Sequence, residues 1–193
     1  SDLLIARVPS ALFHLSPVTM KTPHWMRILS TWIFSPASLC AIEIGENAPV
    51  IGKPVPDQNE QMVDLDEILA TGFTLVYFYP KADTPGCKKQ GCSVRDNDNR
   101  LAQAGVRVIG VSADSATAQA AFAEKFSFSF TLIADHQRNV ISAFGVPTLL
   151  FGMPKRQAFL FNDGKLVWKN EAVSPTTMVD EVLTARTALG DPQ

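Results

Sequence analysis

Apolar residues occur along this chain in two alternating patterns, short unbroken runs and longer stretches with helical spacing. Phe73-Thr74-Leu75-Val76-Tyr77-Phe78-Tyr79 is an apolar run rich in aromatic and β-branched side chains, which predicts a buried strand. Residues 106–112 predict a second strand and 130–133 a short third. Two more, at 157–161 and 166–168, flank Asn162-Asp163-Gly164-Lys165, a strong hairpin-turn signal. Helices are predicted from 87 to about 101, over 115–126 with Asp114 or Ser115 as cap, and over 139–144. A last helix over 176–189 would carry Met178, Val179, Val182 and Leu183 on one face. Strands alternating with helices and ending in a hairpin predict one α/β domain, a mixed sheet with helices on both faces.

The first strand runs into Pro80-Lys81-Ala82-Asp83-Thr84-Pro85-Gly86-Cys87, then Lys88-Lys89-Gln90-Gly91-Cys92. Pro80, Pro85 and Gly86 punctuate a strand-to-helix turn, with Thr84 as helix cap and Cys87 in the first turn. The unpaired amides and positive end of the helix dipole favour a thiolate there, and Lys88 and Lys89 add to it. A lone cysteine at a helix start would more simply be a small apolar plug. A second cysteine five positions on argues for redox chemistry instead.

Helical positions five apart are separated by about 7.5 Å along the axis, whereas a disulfide needs β-carbons about 4 Å apart. If Cys87 and Cys92 form a redox pair, the first turns of the helix must unwind and rewind, and Gly91 is where unwinding costs least. The spacing is too wide for a CxxC pair and unsuited to most zinc knuckles.

Pro80, Thr84 and Cys87 fill the motif Pro-x-x-x-Thr-x-x-Cys, with a Pro-Gly pair before the cysteine. In this the chain resembles the peroxiredoxins of the bacterioferritin comigratory protein, or PrxQ, subfamily, over roughly residues 51–188. Arg95-Asp96-Asn97 is similar to that subfamily's continuation of the helix, and Arg156-Gln157-Ala158-Phe159-Leu160-Phe161 to a segment in which an arginine precedes a strand and points back at the thiolate.

The resemblance implies a thioredoxin-like fold and a thioredoxin-dependent peroxidase acting on hydrogen peroxide or organic hydroperoxides, with no cofactor or metal. It implies that Cys87 is the peroxidatic cysteine, oxidised to a sulfenic acid, and that Cys92 resolves it to an intramolecular disulfide. By the same carry-over Thr84 orients thiolate and peroxide, Arg156 stabilises negative charge on both, and Pro80, Pro85 and Gly86 shape the substrate pocket. Thioredoxin or a glutaredoxin-like dithiol would be the reductant, and the protein a monomer.

Two features depart from the subfamily. Many relatives have a glutamate three residues after the peroxidatic cysteine, where this chain has Gln90, so an ionic tie to an arginine is expected to be missing. The stretch 146–155, Val-Pro-Thr-Leu-Leu-Phe-Gly-Met-Pro-Lys, is shorter and more apolar than the corresponding loop in many relatives, which bears on substrate preference. A thioredoxin-like copper carrier or a protein dithiol exchanger is the alternative, but copper carriers usually show CxxxC with a distant histidine, and exchangers CxxC with a cis-proline loop, for which Val146-Pro147 is the one candidate. His136 reads as a solvated loop residue. Walker-type and GxGxxG loops are absent, which leaves kinase and nicotinamide chemistry unsupported.

Charge divides the 193 residues. Residues 1–42 hold three Lys or Arg and one Asp, and residues 43–193 hold 14 basic and 18 acidic residues, a net charge of −4 with no reason to bind nucleic acid. Met20-Lys21-Thr22-Pro23-His24-Trp25-Met26-Arg27 resembles a positively charged leader start, 28–34 a short apolar core, and Ser38-Leu39-Cys40 a cleavage end. That core is too short to span a bilayer, so no stable membrane association is expected. Residues 1–42 are therefore read as a targeting extension and 43–193 as the redox domain. A genuine leader predicts export to the periplasm; without one the chain would be cytoplasmic. Leu39 sits where a lipoprotein signal needs a small residue, and Cys40 is given no catalytic part.

Overall fold

The computed structural model describes residues 42–190. The leader expected within residues 20–40, with Cys40, lies outside them. The described chain builds a five-stranded sheet from β3 (Phe73–Phe78), β4 (Val106–Ser112), β5 (Thr131–Ala134), β6 (Gln157–Asn162) and β7 (Lys165–Asn170), in the order β5-β4-β3-β6-β7. The β3, β4 and β5 strands run parallel, while β6 is antiparallel to both β3 and β7, so the sheet is mixed as expected. Before it come a small hairpin of β1 (Val55–Pro56) and β2 (Met62–Val63), and the short helix α1 (Leu65–Leu69). Asp64 caps α1 by accepting from the Asp66 and Glu67 amides. These small elements were not anticipated from periodicity, because two-residue strands and a five-residue helix are shorter than any repeat they could display.

Every residue of β3 is buried, and its side chains alternate between two cores. Phe73, Leu75 and Tyr77 join Val94 of α2 (Pro85–Asp96), Leu101 of α3 (Asp98–Gln103), Phe122 of α4 (Ala116–Phe126), and Met178, Val179 and Val182 of α6 (Met178–Ala188). Val76 and Phe78 face the other way, against Leu65, Leu69 and α5 (Asn139–Ala143) with its neighbour Phe144. Leu183, expected on the buried face of the last helix, is only partly buried at its margin.

The helix expected from 87 to about 101 is two helices. Asn97 leaves helical backbone at φ −113° and ψ 15°, its side-chain amide donates to the Ser93 carbonyl at 2.8 Å, and its Oδ1 accepts from Arg100. Such local side-chain bonding offers the backbone an alternative to continuing the helix. At α4 the cap is Ser115, whose hydroxyl accepts from the Ala118 amide, while Asp114 is used elsewhere. The β6–β7 turn places Asp163 and Gly164 at φ 47° and 79°, as a two-residue hairpin connection requires. Among the described residues no helix is long and apolar enough to cross a membrane.

Candidate active site

The site lies beyond the carboxyl end of β3, where the chain leaves the sheet through Tyr79 and Pro80, turns at Asp83 (φ 55°) and enters α2. Thr84 is the N-cap residue, with extended backbone and a carbonyl that accepts from the Lys88 amide at 2.8 Å. Its hydroxyl does not cap the helix as expected; it donates to the Lys81 carbonyl at 3.0 Å and keeps its lone pairs for another donor. Pro85 occupies the first helical position, where a missing N–H costs nothing. Cys87 follows in the first turn, 2% exposed, with the positive end of α2 around it.

The antiparallel pairing of β3 with β6 sets Phe78 opposite Gln157, which carries Arg156 to the same end of the sheet. Its Nη2 lies 3.4 Å from Cys87 Sγ, and its Nη1 donates to Gln90 Oε1. Gln90 is fully buried and its amide group donates to the Met178 sulfur at 3.0 Å, so α6 braces the residue that holds the arginine. The glutamine offers Arg156 a neutral oxygen, so the ionic tie of an acid is missing as expected while a hydrogen bond to the guanidinium remains. Gly86 suits this arrangement, since a β-carbon there would sit 3.0 Å from Nη2 and the guanidinium would have to shift.

The lysines beside Cys87 contribute less than their sequence position implied. Lys88 and Lys89 are both exposed, and the Lys88 ammonium lies over the Phe126 ring, 5.5 Å from its centroid. Arg95 is also committed away from the thiol, to the Phe126 carbonyl at 2.7 Å and to Asp96 at 2.8 Å. Arg156 is the cation that touches sulfur.

Cys92 sits in the same helix, half-buried against the core, and both cysteines are free thiols. Its neighbour Gly91 has a more specific role than easing unwinding, because a β-carbon there would lie 2.4 Å from Cζ of Phe128. That ring stacks on Phe130 and meets Phe122 edge-on, so the turn bearing Cys92 is seated on an aromatic cluster.

A cleft of about 630 Å³ opens beside Thr84, lined by Pro80, Lys81, Ala113, Asp114, Phe151 and Met153. Phe151 is 91% exposed at its rim. Of the residues expected to shape the pocket, Pro80 lines this cleft together with Thr84, whereas Pro85 and Gly86 form the start of α2. Among the described residues no three side chains of metal-ligating type are grouped. His136 is exposed, as expected. Asp114 was not recognised as part of the site from the sequence, where it offered only a possible cap for α4. Gln90 stood out by its place three residues after Cys87, but only the fold shows that it holds Arg156.

Residues 44–169 match the family model described as AhpC/TSA family. The chain belongs to that family. Within it, this peroxiredoxin falls in the PrxQ and bacterioferritin comigratory protein subfamily. It is 33% identical over 199 residues to "Peroxiredoxin Q, chloroplastic" of Gentiana triflora, a match covering 94% of this chain and 91% of that protein. It is 40% identical over 113 residues to the protein of the same description from Sedum lineare, covering 56% of this chain and 60% of that protein. The crystal structure of the peroxidoxin BcpB of Mycobacterium tuberculosis superposes with a TM-score of 0.69 at 32% identity, over 77% of this chain and all of that one. The peroxiredoxin thus has the thioredoxin-like α/β fold and is a thiol peroxidase, reducing peroxide through a peroxidatic and a resolving cysteine.

Proposed function

We propose that Cys87 is the peroxidatic cysteine of this enzyme and Cys92 the resolving one. The observation that carries the assignment is the Arg156 guanidinium 3.4 Å from Cys87 Sγ at the start of the helix that also bears Cys92. The Cys87 thiolate attacks one peroxide oxygen; an S–O bond forms, the O–O bond breaks, and the other oxygen leaves with a proton as water or an alcohol. Arg156 and the first-turn amides, which have no acceptor within the helix, meet the charge that builds on those oxygens. The Thr84 hydroxyl, its proton spent on the Lys81 carbonyl, accepts from the incoming hydroperoxide and so orients it. Pro80 walls the approach, while Pro85 and Gly86 set the helix start that presents the thiol.

The Cys92 thiolate then attacks the sulfur of the Cys87 sulfenic acid; the S–S bond of the intramolecular disulfide forms as the S–O bond breaks, and the hydroxide released is protonated to water. A dithiol reductant, thioredoxin or a glutaredoxin-like protein, restores both thiols by exchange. Hydrogen peroxide and organic hydroperoxides are the substrate class, and the enzyme works as a monomer within residues 43–193. Residues 1–42 act as a targeting leader, for export to the periplasm in a bacterial host. The word "chloroplastic" in the descriptions of the two plant relatives supports a leader without specifying this destination.

The test is NADPH-coupled peroxide consumption with thioredoxin and thioredoxin reductase, run beside a copper titration of the reduced protein. Sustained turnover that requires Cys87 is expected. Stoichiometric copper capture by Cys87 and Cys92 without peroxide turnover would replace this reading with that of a metal carrier.

A further inference from the structure

The loop that delivers Thr84 and Cys87 is tied to the far side of the domain by a chain of polar groups set in the core. Tyr79 donates its hydroxyl proton to Gln119 Oε1 on α4, and the Gln119 amide group donates to Ser112 Oγ at 2.8 Å and to the Ile133 carbonyl at 3.1 Å. Ser112 and Gln119 are fully buried. The Ser112 hydroxyl donates in turn to Asp114 Oδ2 at 2.8 Å, and the same oxygen accepts from the Ala82 amide at 2.7 Å. Gln119 thus has both amide protons and its carbonyl in use, and Ser112 has its one proton in use. The chain has a fixed direction that leaves Asp114 Oδ2 as the acceptor at its end.

Ala82 is in the middle of the Pro80–Thr84 loop, two residues before Thr84. Within the loop Asp83 adopts a positive φ of 55°, and its carboxylate pairs with Lys125 at 2.5 Å, exposed at the surface. An exposed pair of this kind positions weakly. The Asp114 tether is the one that reaches the core, and it lies beside the cleft that Thr84 lines.

We propose that Asp114 is a positioning residue for the peroxide step, holding the loop through the Ala82 amide so that the Thr84 hydroxyl and the start of α2 stay in register with Arg156. The tether ends before Thr84, whereas the turns that must unwind for the disulfide begin after it. Asp114 should therefore govern the attack on peroxide and leave the Cys87–Cys92 step alone. This inference rests on the assignment of Cys87 and Thr84 above.

The experiment uses the full chain, with hydrogen peroxide and cumene hydroperoxide as probes. Quenched alkylation measures separately the second-order rate of Cys87 oxidation and the first-order rate of disulfide formation. Asp114→Ala is expected to slow the first about tenfold or more, as small displacements of reacting groups do, with the second unchanged. Asp114→Asn keeps an oxygen acceptor of the same reach and is expected to return the peroxide rate to within about threefold of wild type. Hydrogen exchange at the Ala82 amide should be fast in the alanine variant and slow in the asparagine variant while the β3 amides stay equally protected in both, a contrast that global destabilisation would not reproduce. Gln119→Met, which breaks the chain one link back, should move the peroxide rate in the same direction by less. A wild-type peroxide rate in Asp114→Ala, equal losses in the alanine and asparagine variants, or equal slowing of both steps would overturn the proposal. Loss of the Cys87 assignment itself would be seen separately, as peroxide turnover surviving Cys87→Ser.

Discussion

Arg156 Nη2 meets Cys87 Sγ at 3.4 Å across a sequence separation of 69 residues, and the contact is made by strand register rather than by any local motif. Because Gln90 holds the other arm of the guanidinium, the planar fork presents one nitrogen to sulfur. Arg156→Ala is expected to lower the second-order rate with hydrogen peroxide by roughly 10²–10³, the cost of losing a fixed donor to developing charge. Arg156→Lys should recover part of this, since one ammonium cannot reproduce the planar fork that spans Gln90 and sulfur. Stopped-flow measurement of all three proteins decides it; an unchanged rate in the alanine variant would remove Arg156 from the mechanism.

The two thiols should divide their labour sharply. Cys87→Ser is expected to abolish peroxide reduction, whereas Cys92→Ser should consume about one equivalent and stop at the sulfenic acid. On non-reducing gels the oxidised wild type should run as a monomer. Equal single-turnover rates in the two variants, or reducible dimers that require Cys40, would contradict the assignment.

Oxidation should melt part of α2. In the reduced structure residues 85–96 are one helix, and a disulfide between positions five apart does not fit inside it. Amide exchange from Cys87 to Asp96 is expected to speed up on oxidation and recover on reduction, with β3 and β4 unaffected. A Cys87–Cys92 bond within an unbroken helix would refute the argument.

Gly91→Ala sets two effects against each other. Alanine should gain about 1 kcal/mol of helix propensity, but its β-carbon would fall 2.4 Å from a Phe128 ring that Phe122 and Phe130 keep from retreating. Overpacking of this kind costs about 1–3 kcal/mol, so the reduced form is expected to lose stability. The oxidised form, with that turn already released, should lose less. Thermal unfolding of both redox states measures the difference; a higher melting temperature for the reduced variant would show that the seat is not tight.

Local sequence by itself determined the strand buried on both faces at 73–78, the proline and glycine punctuation after it, the hairpin turn at Asn162–Lys165, and the placing of two thiols in one helix at a spacing that forbids their bond until the helix opens. Those features follow from side-chain period, fixed backbone angles and helix rise, all of which act over a few residues. The tertiary structure alone decided that Arg156 rather than Lys88, Lys89 or Arg95 is the cation at the thiol, that Gln90 holds it, that Gly91 is a seat for Phe128, and that Asp114 ends a buried chain instead of capping α4. Each is a contact between residues far apart in sequence, set by strand register and by how two cores fill, and a charge beside a thiol in sequence can still point to solvent. The break at Asn97 belongs with these, since a helix-period pattern does not register where one side chain turns back on its own backbone.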